Sequence, residues 1–232
     1  MDIQNKILSG EWFNAMLMPT EYELCGLYKV SRITVRKAME ELEKIGLITR
    51  VQGKGTFVSH VVVRSGTGSL SKHLRDLGFT VHTRLLKKEL ISATNDIATK
   101  LKISAENPKK VWYFSRVRSI EDTPAAVMNT YVSEEIGNEM LHYDLENESF
   151  YKLYETITGK KVVHTEGTVT AIIPNEDVCA ILNVKNGSAH IWYKSVGYFM
   201  DNQPVEANYS VFNANLYEFS VNMDDSRFTQ LY

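Results

Sequence analysis

The stretch that decides the fold of the N-terminal part runs from residue 18 to residue 58 and reads MPTEYELCGLYKVSRITVRKAMEELEKIGLITRVQGKGTFV. Thr20 follows a proline and precedes Glu23 by three residues, the spacing of a capping box that begins a helix. Ser31 caps a second, longer helix, whose apolar residues recur at helical spacing until Gly46 ends it. Because the turn between the two helices is short, the pattern predicts a helix-turn-helix.

The residues after the second helix predict a β-hairpin. Residues 47–50 and 56–58 form two short apolar strands, and the glycine-rich run QGKG between them forms the tip. Gly53 allows the backbone to approach a nucleic-acid strand closely, and Lys54 adds a positive charge. A hairpin in this position is the wing of a winged helix.

Positive charge is concentrated in the same stretch. The whole chain has a net charge of −2, yet residues 29–54 hold seven basic and three acidic side chains, a net +4. Such a segment is typical of a module that binds a polyanion, although charge alone fits a solvated helix face equally well. Arg32 and Arg36 lie one turn apart and away from the apolar stripe, so in a major groove they reach base edges and phosphates.

Composition excludes several classes of protein. The 232 residues are 44% hydrophobic and 23% charged, an ordinary globular balance for one large domain or two smaller ones. Cys25 and Cys179 are too far apart in sequence to suggest a disulfide framework, which fits a reducing compartment. The longest apolar runs fall far short of the roughly 18 residues that span a bilayer, and the N-terminus lacks the pattern of a signal peptide. We therefore expect a soluble, cytoplasmic protein without a membrane partner.

The remainder of the chain predicts a second domain. A polar, glycine-bearing run at 64–68 indicates a linker, so we divide the chain into 1–60, a linker over 61–68, and 69–232. Ser69 is expected to cap a short helix. Turn signals place the later strands at 83–92, 110–120, 125–133, 162–173, 189–199 and 204–213, and helices at 94–101, 149–158 and 175–182. Successive hairpins favour an antiparallel sheet with helices on one side, an α+β fold.

Residues 18–58 resemble the winged-helix head of the GntR family of bacterial transcription regulators. The matching features are VSR-x-TVR-x-A, L-x-x-x-GL and the wing GKGTFV, all in register. The resemblance implies a homodimer that binds a near-palindromic operator in double-stranded DNA. The residues that it implies for DNA contact are Arg32, Thr34, Arg36, Lys37, Gln52, Gly53 and Lys54. Tyr22 stands where the family often carries an arginine, so one basic contact is absent.

Residues from about 69 to 222 resemble the UTRA effector-binding domain of the histidine-utilisation-repressor branch of that family, which shares the fold of chorismate lyase. The features that match in order include SLSKHLRDLGF, RVRSIEDTPAAV, SFYKLYE and GYFMDNQPVEANYSVF. The resemblance implies a small anionic effector, either a sugar phosphate or a small carboxylate. The residues carried over as effector-binding are Leu70 and Ser71 through their amides, then Arg116, Arg118, Ser149, Tyr151 and Glu206.

The residues themselves allow such a site but leave an alternative open. Arg116 and Arg118 alternate on one strand and therefore point to the same face, where Arg116 and the helix start at Leu70 can hold an anion between them. Two arginines on a strand also fit a surface ion pair. Met128 and Phe212 stand where the family's sugar-phosphate binders carry a glutamate and a tyrosine, so fewer ligand hydroxyls have partners.

Motifs of enzymes are missing from the sequence. There is no G-x-S-x-G, P-loop, H-E-x-x-H or dinucleotide fingerprint, and the six histidines form no ligand-spaced pair. We therefore expect no catalytic residues, no metal and no cofactor. Two other functions stay open: a residual lyase activity, and a DNA-bending architectural protein, which apolar wedge residues at the groove would indicate. A ligand-responsive repressor is the function that we expect.

Overall fold

In the computed structural model, which describes residues 2–8, 11–59, 61–64, 79–103 and 110–220, three helices and a hairpin form the N-terminal part. These elements are α1 (Asp2–Leu8), α2 (Glu21–Tyr28), α3 (Arg32–Lys44), β1 (Ile48–Val51) and β2 (Gly55–Val58). The buried side chains of the three helices and the hairpin share one apolar core, to which α3 contributes Val35, Met39 and Leu42.

The ends of the helices follow from their sequence. Thr20 accepts a hydrogen bond from the Glu23 N–H at 3.3 Å, and the Glu23 carboxylate accepts one from the Thr20 N–H at 2.8 Å, which confirms the capping box. Ser31 caps α3 through the N–H of Thr34, at 3.2 Å. Lys29, in the left-handed region at φ 53°, makes the turn between α2 and α3. The helix-turn-helix is thus fixed by local hydrogen bonds as well as by its core.

The wing is attached to the chain segment that precedes α2. The Met18 N–H donates to the Thr56 carbonyl at 2.8 Å, and the Val58 N–H donates to the Met16 carbonyl at 3.0 Å. A β-bridge between Leu17 and Phe57 lies between these two hydrogen bonds, so residues 16–18 pair with the hairpin like a third strand. The hairpin is therefore held on one side by main-chain hydrogen bonds, and only its tip extends away from the head.

A six-stranded sheet organises the rest of the chain. It is antiparallel throughout, in the order β4-β5-β6-β9-β8-β7, and the parallel pair β3 and β10 lies apart from it. The strands are β3 (Val61–Arg64), β4 (Val81–Ser92), β5 (Lys110–Ile120), β6 (Thr123–Ser133), β7 (Val162–Ile172), β8 (His190–Phe199), β9 (Pro204–Phe212) and β10 (Tyr217–Ser220). The helices are α4 (Asn95–Lys100), α5 (Glu134–Met140), α6 (Phe150–Thr158) and α7 (Glu176–Leu182). The α+β prediction is confirmed.

The helices lie on both faces of the sheet, so the expectation of helices on one side is wrong. Helices α5 and α6 pack on the face that carries Phe114 and Val132. Helices α4 and α7 pack on the opposite face, against Val111 and Val127 respectively. Since successive strand residues alternate between faces, a strand buried on both faces is apolar at odd and even positions alike, as in the central strand β6.

The segment between the head and the larger domain differs in part from its sequence-based description. The first half of the predicted linker is strand β3, which pairs in parallel with β10 from the far end of the chain. The predicted helix that begins at Ser69 lies outside the described residues. Within the described residues, no helix is long and apolar enough to cross a membrane.

Candidate functional site

Helix α3, the second helix of the helix-turn-helix, presents its basic side chains to solvent. The side chains of Arg32 and Arg36 are 83% and 67% exposed. Each has one acidic neighbour: the Arg32 Nε lies 3.5 Å from the Glu21 carboxylate, and the Arg36 Nε lies 3.3 Å from that of Glu40. Exposed pairs of this kind contribute little free energy, so phosphate or base contacts can replace them.

The other predicted DNA contacts lie at the start of α3 and at the tip of the wing. The hydroxyls of Thr34 and Ser31 lie 2.9 Å apart, so the Thr34 hydroxyl takes part in the helix cap. Gln52, Gly53 and Lys54 are exposed in the turn between β1 and β2. The tip therefore exposes its backbone and one cation to solvent.

A buried polar cluster covers the centre of one face of the sheet. The strand register puts three residues of β9 on this face, namely Glu206, Asn208 and Ser210. Across the sheet, Ser210 lies opposite Met128 of β6, and Met128 lies opposite Arg116 of β5. Five polar side chains of this face are almost completely buried: Arg116, Thr130, Ser195, Glu206 and Ser210.

The Glu206 carboxylate is the centre of this cluster. Its Oε2 accepts a hydrogen bond from the Tyr154 hydroxyl at 2.6 Å, and its Oε1 accepts one from the Asn208 amide at 2.5 Å. The Asn208 carbonyl oxygen accepts in turn from the Thr130 hydroxyl at 2.7 Å. Burial raises the pKa of Glu206, against the opposing effects of the Tyr154 hydrogen bond and the charge of Arg116.

Arg116 is buried against an aromatic ring, whereas Glu206 is buried within hydrogen bonds. It is 6% exposed, and its guanidinium carbon lies 3.2 Å from the centre of the Phe150 ring at the start of α6. Its Nε is buried without a hydrogen-bond partner in the described part of the chain. Burial, together with the charge of Arg118, lowers the pKa of Arg116 to about 9. A buried cation with an unused donor costs free energy that a bound anion recovers.

The structure gathers most of the predicted effector residues around this cluster. Arg118 lies two residues along β5 from Arg116, on the same face and half-buried. Ser149 is the N-cap residue of α6, and its side chain makes no capping hydrogen bond. The Tyr151 hydroxyl lies 3.4 Å from that of Thr165 on β7. Leu70 and Ser71, the two predicted amide donors, lie outside the described residues.

The three residues that form the hydrogen-bond network around Glu206 were not predicted from the sequence. Tyr154 shares the buried stripe of α6 with Phe150 and Leu153, a pattern that indicates core. Thr130 lies in the mostly buried strand β6, so its position also indicates a core residue. Asn208 could have been found, because its alternation with Glu206 puts both on one face of β9.

Met128 and Phe212, the two apolar residues that differ from the family's sugar-phosphate binders, lie on the same face. Met128 is opposite Arg116, and Phe212 is opposite Ala126, one row further along the sheet. The Phe212 ring meets the ring of Tyr217 edge-on, with centroids 5.1 Å apart. The face is thus polar around Glu206 and apolar towards Phe212. In the described ranges, no three His, Cys, Asp or Glu side chains gather as a metal site.

Comparison with known proteins identifies relatives over nearly the whole chain. Residues 1–58 match the bacterial regulatory proteins of the gntR family, and residues 76–218 match the UTRA domain. The chain is 27% identical over 222 residues to the mannosyl-D-glycerate transport/metabolism system repressor MngR of Escherichia coli K12, covering 94% of this chain and 91% of that protein. It is 26% identical over 225 residues to the HTH-type transcriptional repressor NagR of Bacillus subtilis 168, covering 96% and 91%. The crystal structure of PhnF from Mycobacterium smegmatis has the same fold, with a TM-score of 0.70, 21% identity and coverage of 96% and 98%.

Proposed function

Because the chain belongs to the GntR family of bacterial transcription regulators and carries a UTRA domain, we propose that it is a homodimeric repressor controlled by a small anionic metabolite. It is a DNA-binding regulator and not an enzyme. Its head, residues 1–60, binds one half of a near-palindromic operator in the bacterial cytoplasm. The linker over 61–68 joins this head to the effector-binding and dimerisation domain, residues 69–232.

The DNA contacts of this proposal come from α3 and the wing. Arg32, Arg36 and Lys37 are exposed near the N-terminal end of the recognition helix, the end that reaches base edges in winged helices. Thr34 contributes from the helix cap, and Gln52, Gly53 and Lys54 contribute from the wing tip. Two-fold symmetry of the protein then matches two-fold symmetry of the operator.

One observation carries the proposal of an anionic effector: the buried, incompletely bonded guanidinium of Arg116. The Glu206 carboxylate accepts its hydrogen bonds from Tyr154 and Asn208, and the Nε of Arg116 has no acceptor in the described part of the chain. A phosphate or carboxylate beside Arg116 would supply that missing acceptor. Arg118 lies close enough to lower the pKa of Arg116, and it adds a second positive charge to the site.

The lining of the face narrows the class of effector. Tyr151, Asn208 and Ser210 offer hydroxyl and amide groups, whereas Met128 and Phe212 offer apolar surface. We propose a sugar phosphate or a small carboxylate that presents few hydroxyls towards Phe212. The name of the relative MngR refers to mannosyl-D-glycerate, whose glycerate part carries a carboxylate.

Thermal unfolding with a panel of anions tests the effector site. Phosphate, sugar phosphates and small carboxylates are each added to the wild type, to Arg116→Ala and to Arg116→Lys. We expect one class to stabilise the wild type, and Arg116→Ala to lose that stabilisation by roughly 1.5–3 kcal/mol of binding free energy. Arg116→Lys keeps the positive charge but lacks the planar guanidinium, so it should retain part of the stabilisation by the anion.

A matched control is available on the opposite face of the same sheet. Arg84 of β4 pairs with Val117 and is exposed, so Arg84→Ala removes a cation without touching the cluster. It should respond to anions like the wild type. An equal response of Arg116→Ala, or stabilisation by neutral compounds alone, would contradict the proposal.

A further inference from the structure

Ile33 is an apolar side chain on the outward face of the recognition helix. It is 71% exposed, although it lies in the first turn of α3 among charged neighbours. The inner face of the helix is set by Val35, Met39 and Leu42. Ile33 precedes Leu42 by nine residues, about two and a half turns, so it points directly away from the core. The fold of the head makes no use of its side chain.

Helix stability does not explain an isoleucine at this position either. The exposed positions in the second half of α3 are charged, as Glu40, Glu41, Glu43 and Lys44 show. Isoleucine is β-branched and favours a helix less than glutamate or lysine does. A residue that neither packs nor promotes the helix, on the outward side of its first turn, points to a contact with a partner.

The neighbours of Ile33 identify that partner. Arg36 and Lys37 follow it by three and four residues, and therefore flank it on the helix surface. Both are exposed cations suited to phosphate or to guanine. The Thr34 hydroxyl is engaged with Ser31 at the helix cap. Ile33 is thus the apolar point in a positively charged surface that faces DNA.

The major groove presents a single apolar group to such a side chain, the C5-methyl of thymine. We propose that Ile33 contacts a thymine methyl group in each half-site and thereby specifies an A·T pair at that position. This inference rests on the proposed role of α3 in reading the operator. It assigns to Ile33 a selection between bases, beside the charge contacts of Arg36 and Lys37.

Replacement of thymine by uracil tests the contact, because uracil lacks only the methyl group. The full-length wild type first selects a duplex from a random DNA library, and each thymidine of that duplex is then replaced by deoxyuridine in turn. One position in each half-site should weaken wild-type binding about fourfold, the equivalent of a buried methyl-sized group of about 0.8 kcal/mol. Ile33→Ala should bind the thymine and uracil duplexes equally well.

Two variants serve as controls. Ile173→Ala removes an isoleucine that is 67% exposed outside the helix-turn-helix, and it should keep the full methyl dependence. Arg36→Ala should weaken binding to both duplexes while the ratio between them stays. If no deoxyuridine position weakens the wild type, or if Ile33→Ala shows the same ratio, the inference is wrong. A wild type that enriches no sequence at all would overturn DNA recognition by α3 itself.

Discussion

At the scale of single residues, a carboxyl group and a guanidinium share the centre of the sheet without a direct hydrogen bond between them. Glu206 is bonded to Tyr154 and Asn208, while Arg116 stacks on Phe150. Each group is buried, so each departs from its ordinary pKa for the same reason, loss of hydration. Burial of both groups costs stability, and shifted pKa values of this kind are typical of a site built to bind a ligand.

The raised pKa of Glu206 leads to a prediction about pH. A carboxyl whose folded pKa lies above its unfolded value stabilises the fold below that unfolded value, near 4.5, and loses this contribution as pH rises through the folded pKa. Glu206→Gln cannot ionise, so its free energy of unfolding should increase relative to the wild type as pH rises from 4.5 towards 8. The gain amounts to about 1.4 kcal/mol for each pH unit that separates the folded and unfolded pKa.

Urea unfolding of both proteins across this pH range measures the difference. A constant offset is expected from the extra amide hydrogens of Gln beside Asn208, so only the slope is informative. Tyr154→Phe provides a companion, since it removes a donor to the carboxylate and should cost about 1.5–3 kcal/mol. A difference between Glu206→Gln and the wild type that does not vary with pH would show that Glu206 titrates normally.

The recognition helix yields a second residue-scale prediction. Arg32→Ala and Arg36→Ala should each weaken binding to the selected duplex by about 1–3 kcal/mol if the arginine reads a base edge. Their present partners, Glu21 and Glu40, form exposed pairs, so the stability of the head should change by less than about 1 kcal/mol. Binding measured at one fixed salt concentration decides this. Wild-type affinity in both variants would exclude α3 as the reading helix.

At the scale of elements, local signals predicted most of the fold. The capping box at Thr20, the cap at Ser31 and the Thr123-Pro124 turn each act within a few residues, so they can be read from the chain alone. Helix α5 was missed because Gly137 stands in its middle, and glycine normally disfavours helix. The structure shows why glycine is needed there: a Cβ would lie 2.2 Å from the Trp112 ring.

Long-range pairing could not be predicted in the same way. Strands β3 and β10 are short, and about 150 residues separate them, so neither carries a local mark of its partner. The same limit applies to the candidate site, where Tyr154 and Thr130 looked like core residues until the sheet register placed them beside Glu206. Arg116 was predicted as an effector residue from the resemblance to UTRA domains, because its alternation with Arg118 alone also fits a surface ion pair.

The wing provides a prediction at this scale, because its two glycines differ in conformation. Gly53 has φ 74°, which other residues adopt with modest strain, whereas Gly55 has φ 116° and its added Cβ would lie 2.7 Å from the Leu17 side chain. We predict that Gly53→Ala costs about 1 kcal/mol and Gly55→Ala about 2–3 kcal/mol. Amide hydrogen exchange at Met18 and Val58, which hold the hairpin, reports the opening of the wing. Equal protection in the two variants would contradict this account.

At the scale of the whole molecule, one head covers only one half-site, so the proposal requires two chains. Light scattering of the full-length protein should give twice the 26.4 kDa of one chain. A fragment of residues 66–232 should also be a dimer, and a fragment of residues 1–60 should be a monomer that binds DNA weakly. A monomeric 66–232 fragment at micromolar concentration would contradict dimerisation through the C-terminal domain.

The parallel pair of β3 and β10 gives the two parts of the chain a physical connection. Strand β3 directly follows the wing, and β10 follows β9, the strand that carries Glu206 and Phe212. The turn between β9 and β10 is held by the Ala214 N–H, which donates to His190 Nδ1 at 3.2 Å. An effector that prefers one arrangement of this turn would shift the position of the wing, and reciprocally DNA would shift the affinity for the effector.

Control of the repressor by its effector is tested by the affinity for the selected duplex, measured with and without the anion that stabilises the wild type. We predict that this anion changes the DNA affinity of the wild type by at least about fivefold, the lower end of ordinary allosteric coupling. Arg116→Ala should bind the duplex like the wild type when no anion is present, and should not respond when it is added. An equal response in both proteins, or a wild type whose DNA affinity no anion alters, would contradict control of the repressor through Arg116.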